Sequence, residues 1–296
     1  MTGQIRIKSP HTQLGVLLLV YFIPQLLLVS VAQLFLKGQF DMKSQDISTL
    51  KWIQAISSLF LFLLPALLYA LFTFNGQYAR RLGLQQPVKP AMYVLGVACM
   101  LLAFPLVFWL GEINQRIPMP PSVIEMERQA AVQMEKFLKV NGPADILVNL
   151  VIIALLPAIC EELFFRGAMQ RVMIQVTRRP WAGIIVTAAL FSALHFQFQG
   201  FLPRMFLGIL LGALYWFSGS LWTSILAHFV TNAVQVIAAS YATRYITENP
   251  VVPVFLALAS AIAVFGILRL YQRMSNITWA SVYNREEITS QNNYIS

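Results

Sequence analysis

The chain has 296 residues, 58% of them hydrophobic and 11% charged, with a formal net charge of +9 and a mean hydropathy of +0.66. Soluble domains carry about a quarter charged residues, so this composition excludes a surface that faces water throughout. The Lys and Arg fall mainly between apolar blocks, which suits anionic lipid headgroups and speaks against a nucleic-acid interface.

The apolar blocks are roughly twenty residues long, the length needed to cross a hydrocarbon core about 30 Å thick. Residues 1–11 are polar and include Arg6 and Lys8. The apolar stretch that follows is too long for a signal-peptide core and reads as a retained first span. Three blocks come first, at 14–36, 52–74 and 92–110. From Gln115 to Lys139 the chain is charged and begins with three prolines. Within it Val123, Ile124, Met126, Ala130, Met134 and Phe137 recur at helical spacing. That pattern predicts an amphipathic helix, lying on the membrane surface or in an ordinary extramembrane loop.

Apolar sequence resumes over 144–176, interrupted by Glu161, Glu162 and Arg166, and Arg178-Arg179-Pro180 then breaks it. Further spans are expected at 181–198, 203–217, 220–240 and 252–271. The loops between the first three of these are short, which makes their helices antiparallel neighbours. The tail from Arg273 is polar and is expected to fray. Cys99 and Cys160 both sit in apolar blocks and read as small buried hydrophobes, not as a disulfide framework.

The predicted fold is an all-α polytopic membrane bundle of about eight transmembrane helices, in three parts. Residues 1–143 carry three spans and the amphipathic segment, 144–240 the polar core helices, and 241–296 the last span and tail. No internal repeat points to a transporter built from two halves. With eight spans and the amino terminus inside, cytoplasmic segments hold 11 Lys and Arg and the opposite side 9. That small excess places both termini in the cytoplasm and the chain in the cell's inner or plasma membrane.

An ionised carboxylate at bilayer depth costs several kcal/mol unless it is paired or faces a polar cavity. Glu162 and Arg166 stand at i and i+4, so they share a helix face in the favourable order. Glu161 is rotated about 100° away and is left for chemistry. The bland reading is a salt-bridge network that ties helices together. His195 closes the run Ala188 to Leu194; His228 and Asn232 again stand at i and i+4. The latter pair suits a developing oxyanion or an interhelical polar clamp. The chain has three histidines, and two lie in apolar spans near the only intramembrane acid pair. All the strongly polar intramembrane groups are expected within 161–232, with almost none in the first three spans, and such clustering favours a site over scattered clamps.

Proteolytic schemes can be compared with these residues. The last Asp is Asp145, at a helix start, which leaves no intramembrane aspartyl pair. A His-Glu-x-x-His zinc helix is absent, and no Ser has the surroundings of an activated nucleophile. A glutamate-activated water is what remains.

The motif Glu161-Glu162-Leu163-Phe164-Phe165-Arg166 resembles the Glu-Glu-x-x-x-Arg of type II CAAX prenyl endopeptidases, part of the wider CPBP (CAAX protease and bacteriocin-processing, or Abi) family. Phe191 to His195 is similar to that family's Phe-x-x-x-His motif, and His228 to Asn232 to its His-x-x-x-Asn. The resemblance covers about 145–240. It implies an intramembrane endopeptidase in which Glu161, assisted by His195, activates water. It further implies that His228 and Asn232 hold the oxyanion, with Glu162, Arg166 and Phe191 in support. The implied partners are the bilayer and a membrane-associated protein or peptide, in some family members C-terminally lipidated. Family members are often labelled metalloproteases, and Glu161, His195 and His228 are the ligands a zinc ion would take. The chemistry as read needs no metal, and the two versions stay open. The competing reading is a non-catalytic scaffold of the bacteriocin-immunity type, or a small transporter.

Overall fold

The structure, a computed structural model, describes residues 6–36, 46–140, 142–242, 244–247, 249–278 and 282. Most of the tail after Arg273, and the loop cations Lys37, Lys43 and Arg285, lie outside these residues. The described chain is helical without strands. Its principal helices are α1 (Pro10–Leu36), α2 (Ile47–Thr73), α3 (Pro90–Gln115), α4 (Pro121–Leu138), α5 (Pro143–Thr177), α6 (Pro180–Ala193), α7 (Phe201–Ser218), α8 (Leu221–Tyr241) and α9 (Val254–Met274).

Seven of these are long and apolar enough to cross a membrane, and the chain is an integral membrane protein. The eighth expected span, α6, has 14 residues, which at 1.5 Å per residue reach only about 21 Å. Contacts between helix ends nevertheless show that the chain changes faces across α6 as well. On one face Arg6 N–H donates to Thr73 O (2.9 Å), and Leu221 N–H to Gly83 O (2.9 Å). Arg178, Phe217, Gln272 and Ile277 also meet there. On the other face Asn114, at the end of α3, bonds Phe198 and Leu202. Residues 6 and 277 are therefore on the same face, as an even number of crossings requires.

The exterior is apolar, unlike that of a soluble domain, and polar side chains such as Glu162, Arg166 and Gln170 are buried inside among apolar ones. Leu19, Leu26 and Leu27 on α1, and Phe255, Leu258 and Ile262 on α9, point outward. Trp181 and Trp222 stand exposed at helix starts on one face, and Tyr241 at a helix end on the other, as in an interfacial aromatic belt. Cys99 and Cys160 are buried free thiols, as expected.

α5 runs through the middle of the bundle. Phe164, Phe165, Ala168 and Val172 pack against Leu17 of α1, Ala66 and Tyr69 of α2, Phe191 of α6 and Ile225 of α8. A second core joins Cys99 and Met100 of α3 to Leu210 and Leu214 of α7 and Val264 of α9. Asp46 starts α2 by accepting a hydrogen bond from the Thr49 N–H (2.6 Å), and that bond holds its carboxyl below the ordinary value. Wide π-helical turns occur at Leu59–Leu63 and Leu150–Leu155, each just before a proline. Pro65 and Pro157 have no N–H, and their rings would strike the carbonyls four residues back; opening the turn relieves both. A third π segment, Leu163–Gln170, follows the acid pair directly.

The α5–α7 contact rests on two glycines spaced as in small-xxx-small packing. Gly208 and Gly212 expose their carbonyls, and Arg166 Nη2 donates to Gly208 O (3.0 Å) while Gln170 Nε2 donates to Gly212 O (2.9 Å). A Cβ on Gly212 would stand 2.6 Å from Gln170 Oε1 and 2.9 Å from Ile184. Gly212→Val is therefore expected to destabilise by about 1–3 kcal/mol, the usual range for overpacking. Gly266→Ala, where nothing lies within 4 Å, should be near neutral. Thermal unfolding in detergent, followed with a thiol-reactive dye that reports exposure of Cys99 and Cys160, measures both.

Candidate active site

Glu162 is fully buried, and a charge there is tolerable only with partners on hand. Its Oε1 has two. Arg166 Nη1 lies 2.8 Å away, as the i, i+4 spacing predicted, and His228 Nδ1 lies 2.9 Å away, from α8. The Arg166 approach is too bent to be a hydrogen bond, so that contact is chiefly charge on charge. The Arg166 guanidinium also stands 4.8 Å over the Phe191 ring, a cation–π contact inside a dry core. Phe191 meets the rings of His195 and His228 edge-on, at 4.9 and 5.9 Å. It is the spacer between the two histidines.

Because a carboxylate and a carbonyl only accept, the tautomers follow from the partners. His228 donates from Nδ1 to Glu162, and its Nε2 faces Glu161 Oε2 across 3.9 Å. His195 Nδ1 is 2.6 Å from Phe191 O and must donate to it, which frees Nε2 as an acceptor. Glu161, one residue from Glu162, has no such short contact with an imidazole. Asn232 is half-buried one turn beyond His228 on α8.

Four of the six predicted residues, Glu161, Glu162, Arg166 and His228, are thus directly linked through charge contacts, and His195 joins them through Phe191. Two expectations need correction. His195 does not lie within a span reaching 198: α6 stops at Ala193 and His195 occupies the turn after it. Phe196 there has φ +53°, a left-handed backbone that ends the helix. The buried polar groups are also not confined to 161–232, since Gln13, Lys51, Asn114 and Asn149 are buried as well. Gln13 is tied to Tyr69 (2.9 Å), and Asn114 holds the loop after His195.

For a metal ion, three ligands must converge. Among the described residues no group of three or more His, Cys, Asp or Glu is arranged to hold one, and Glu161, His195 and His228 do not form such a group.

Sequence reasoning missed the His228–Glu162 bond, because residues 66 apart give no local signal. It also missed Gly208 and Gly212, whose spacing is plain in the sequence and could have marked the contact.

The family model described as "Type II CAAX prenyl endopeptidase Rce1-like" matches residues 143–234. That stretch runs from α5 into α8 and contains all six candidate residues. The uncharacterized protein YpbD of Bacillus subtilis (strain 168) is 30% identical over 90 residues, 29% of this chain and 43% of that protein. The match thus spans less than half the length of this relative. No solved structure matches.

Proposed function

We propose that this chain, whose residues 143–234 match the Rce1-like family of type II CAAX prenyl endopeptidases, is an intramembrane endopeptidase that uses glutamate-activated water. The observation that carries the reading is the unequal treatment of two adjacent carboxylates. Glu162 is consumed by Arg166 and His228, whereas Glu161 stands 3.9 Å from the Nε2 edge of His228 and feels the Arg166 and Arg204 charges at longer range. Two like groups with different surroundings take different roles.

In the reaction, Glu161 takes a proton from a water molecule whose oxygen attacks the scissile carbonyl. The tetrahedral oxyanion is held by His228 Nε2–H, in an imidazolium supported by Glu162, and by the Asn232 amide N–H. Collapse breaks the C–N bond, and the proton returns to the leaving amine from Glu161. His195 Nε2, free to accept, orders the water. Glu162, Arg166 and Phe191 hold this arrangement.

The substrate is a membrane-associated protein or peptide that reaches the site from within the bilayer, and C-terminal lipidation is the version the family match favours. The face that holds residues 6 and 277 lies in the cytoplasm, by the excess of Lys and Arg in the segments on that side.

The test is a peptidase assay on the purified full chain in liposomes, with quenched-fluorescent peptides both farnesylated and unmodified. Cleavage of the farnesylated peptide is expected. Because no step above is routed through a metal, excess chelator should leave the rate within about twofold, far from the loss of several kcal/mol of stabilisation that follows removal of a catalytic metal. If wild type cleaves nothing across a broad panel, the scaffold or transporter reading gains and this one fails.

A further inference from the structure

His195 sits outside any helix, so something else must hold it still. The loop 194–200 has a left-handed residue, Phe196, directly after the histidine, and short loops of this kind keep one conformation only when their surroundings over-determine it. Three groups from other elements do so. Asn114, buried at the end of α3, donates to Phe198 O (2.7 Å) and accepts from Leu202 N–H (2.7 Å). Glu127, half-buried on α4, accepts from Phe198 N–H (2.5 Å) and Gln199 N–H (3.3 Å). Arg204 of α7 donates to the Gln197 carbonyl (3.2 Å) and to its side-chain oxygen (2.8 Å). Its charge is within electrostatic reach of both Glu127 and Glu161. Ser192 closes the base of the loop by donating to Phe201 O (2.8 Å).

Asn114 and Glu127 lie outside the segment 143–234 that carries the family match. We infer that they are positioning residues for His195: a polar clasp from α3 and α4 that fixes the loop on which this histidine rides. The amphipathic segment accordingly has an assignment that its sequence pattern alone did not give. α4 also bears exposed Ile124, Met126, Val132 and Met134, suited to the membrane surface, while Glu127 holds the loop after His195. The N-terminal part of the chain completes the centre instead of merely anchoring it. For the role of His195 in turnover the inference rests on the peptidase reading; for the position of His195 it does not.

The experiment separates the two. The chain has three histidines, so the full-length protein labelled with 15N-histidine gives three ring spin systems, and His195→Gln identifies one of them. Wild type is expected to show His195 as the Nδ1-protonated tautomer. Glu127→Ala should convert that signal to a mixture of tautomers and leave His11 and His228 unmoved. Glu127→Gln keeps an acceptor oxygen for the loop and should restore most of the wild-type signal. Asn114→Ala, at a buried site, should act in the same direction as Glu127→Ala. In the farnesylated-peptide assay, Glu127→Ala should lower kcat by about 10–100-fold with KM nearly constant, the scale of a small misplacement of a catalytic group. An unchanged His195 signal in Glu127→Ala overturns the inference, as does an equal shift of all three histidines, which would mean general loosening. If wild type cleaves no peptide but the His195 signal alone moves, the clasp stands and the peptidase reading falls.

Discussion

Glu161→Gln is expected to reduce peptide cleavage by roughly 1,000-fold or more, at the upper end of what a positioned base contributes, while the protein keeps its fold. The second half matters as much as the first. Glutamine has the shape of the carboxylate it replaces, and Glu161 makes no short contact with an imidazole that would be lost, since His228 Nε2 is 3.9 Å away. The substituted amide cannot take a proton from water. The unfolding temperature reported by Cys99 and Cys160 should therefore stay close to that of wild type. If Glu161→Gln retains a tenth of the wild-type rate, Glu161 is not the base. If it unfolds, the carboxylate is structural, and the salt-bridge network that the sequence also allowed regains its place.

The parts of the molecule that were legible in the sequence are those encoded by local periodicity. Apolar blocks of membrane length located every span to within a few residues, because a lipid-facing helix must be apolar over its whole crossing. The i, i+4 relation of Glu162 and Arg166 predicted their ion pair, even though the backbone from Leu163 to Gln170 is π-helical. Features that depend on which helices meet were not legible. The His228–Glu162 bond joins α8 to α5 across 66 residues. Asn114 and Glu127 stand out by no local pattern, and their partners are on the loop that returns at Phe198. The early end of α6 was misread because Leu194, Phe196 and Phe198 continue the apolar pattern, while the left-handed turn at Phe196 has no glycine to announce it.

The buried pair separates stability from activity in a way that tests the division of labour at Glu161-Glu162. Both Glu162 and Arg166 have no solvent exposure and are 2.8 Å apart. Removing one partner strands the other as a buried charge, and such changes cost about 3–5 kcal/mol. Arg166→Met should therefore lower the unfolding temperature strongly, and it also forfeits the donor to Gly208 O and the cation over Phe191. Adding Glu162→Gln removes the stranded charge and should recover much of the lost stability. Activity is not expected to return, because the imidazole of His228 loses the carboxylate that accepts from its Nδ1 and fixes its ring. The expected pattern is an unstable, inactive single variant and a more stable, still inactive double variant, read by thermal unfolding and peptide cleavage on the same preparations. A double variant that regains both would show that Glu162 and Arg166 only brace the bundle. One that regains neither would place the dominant contribution of Arg166 in its contacts with α6 and α7, and the pairing with Glu162 would then be secondary.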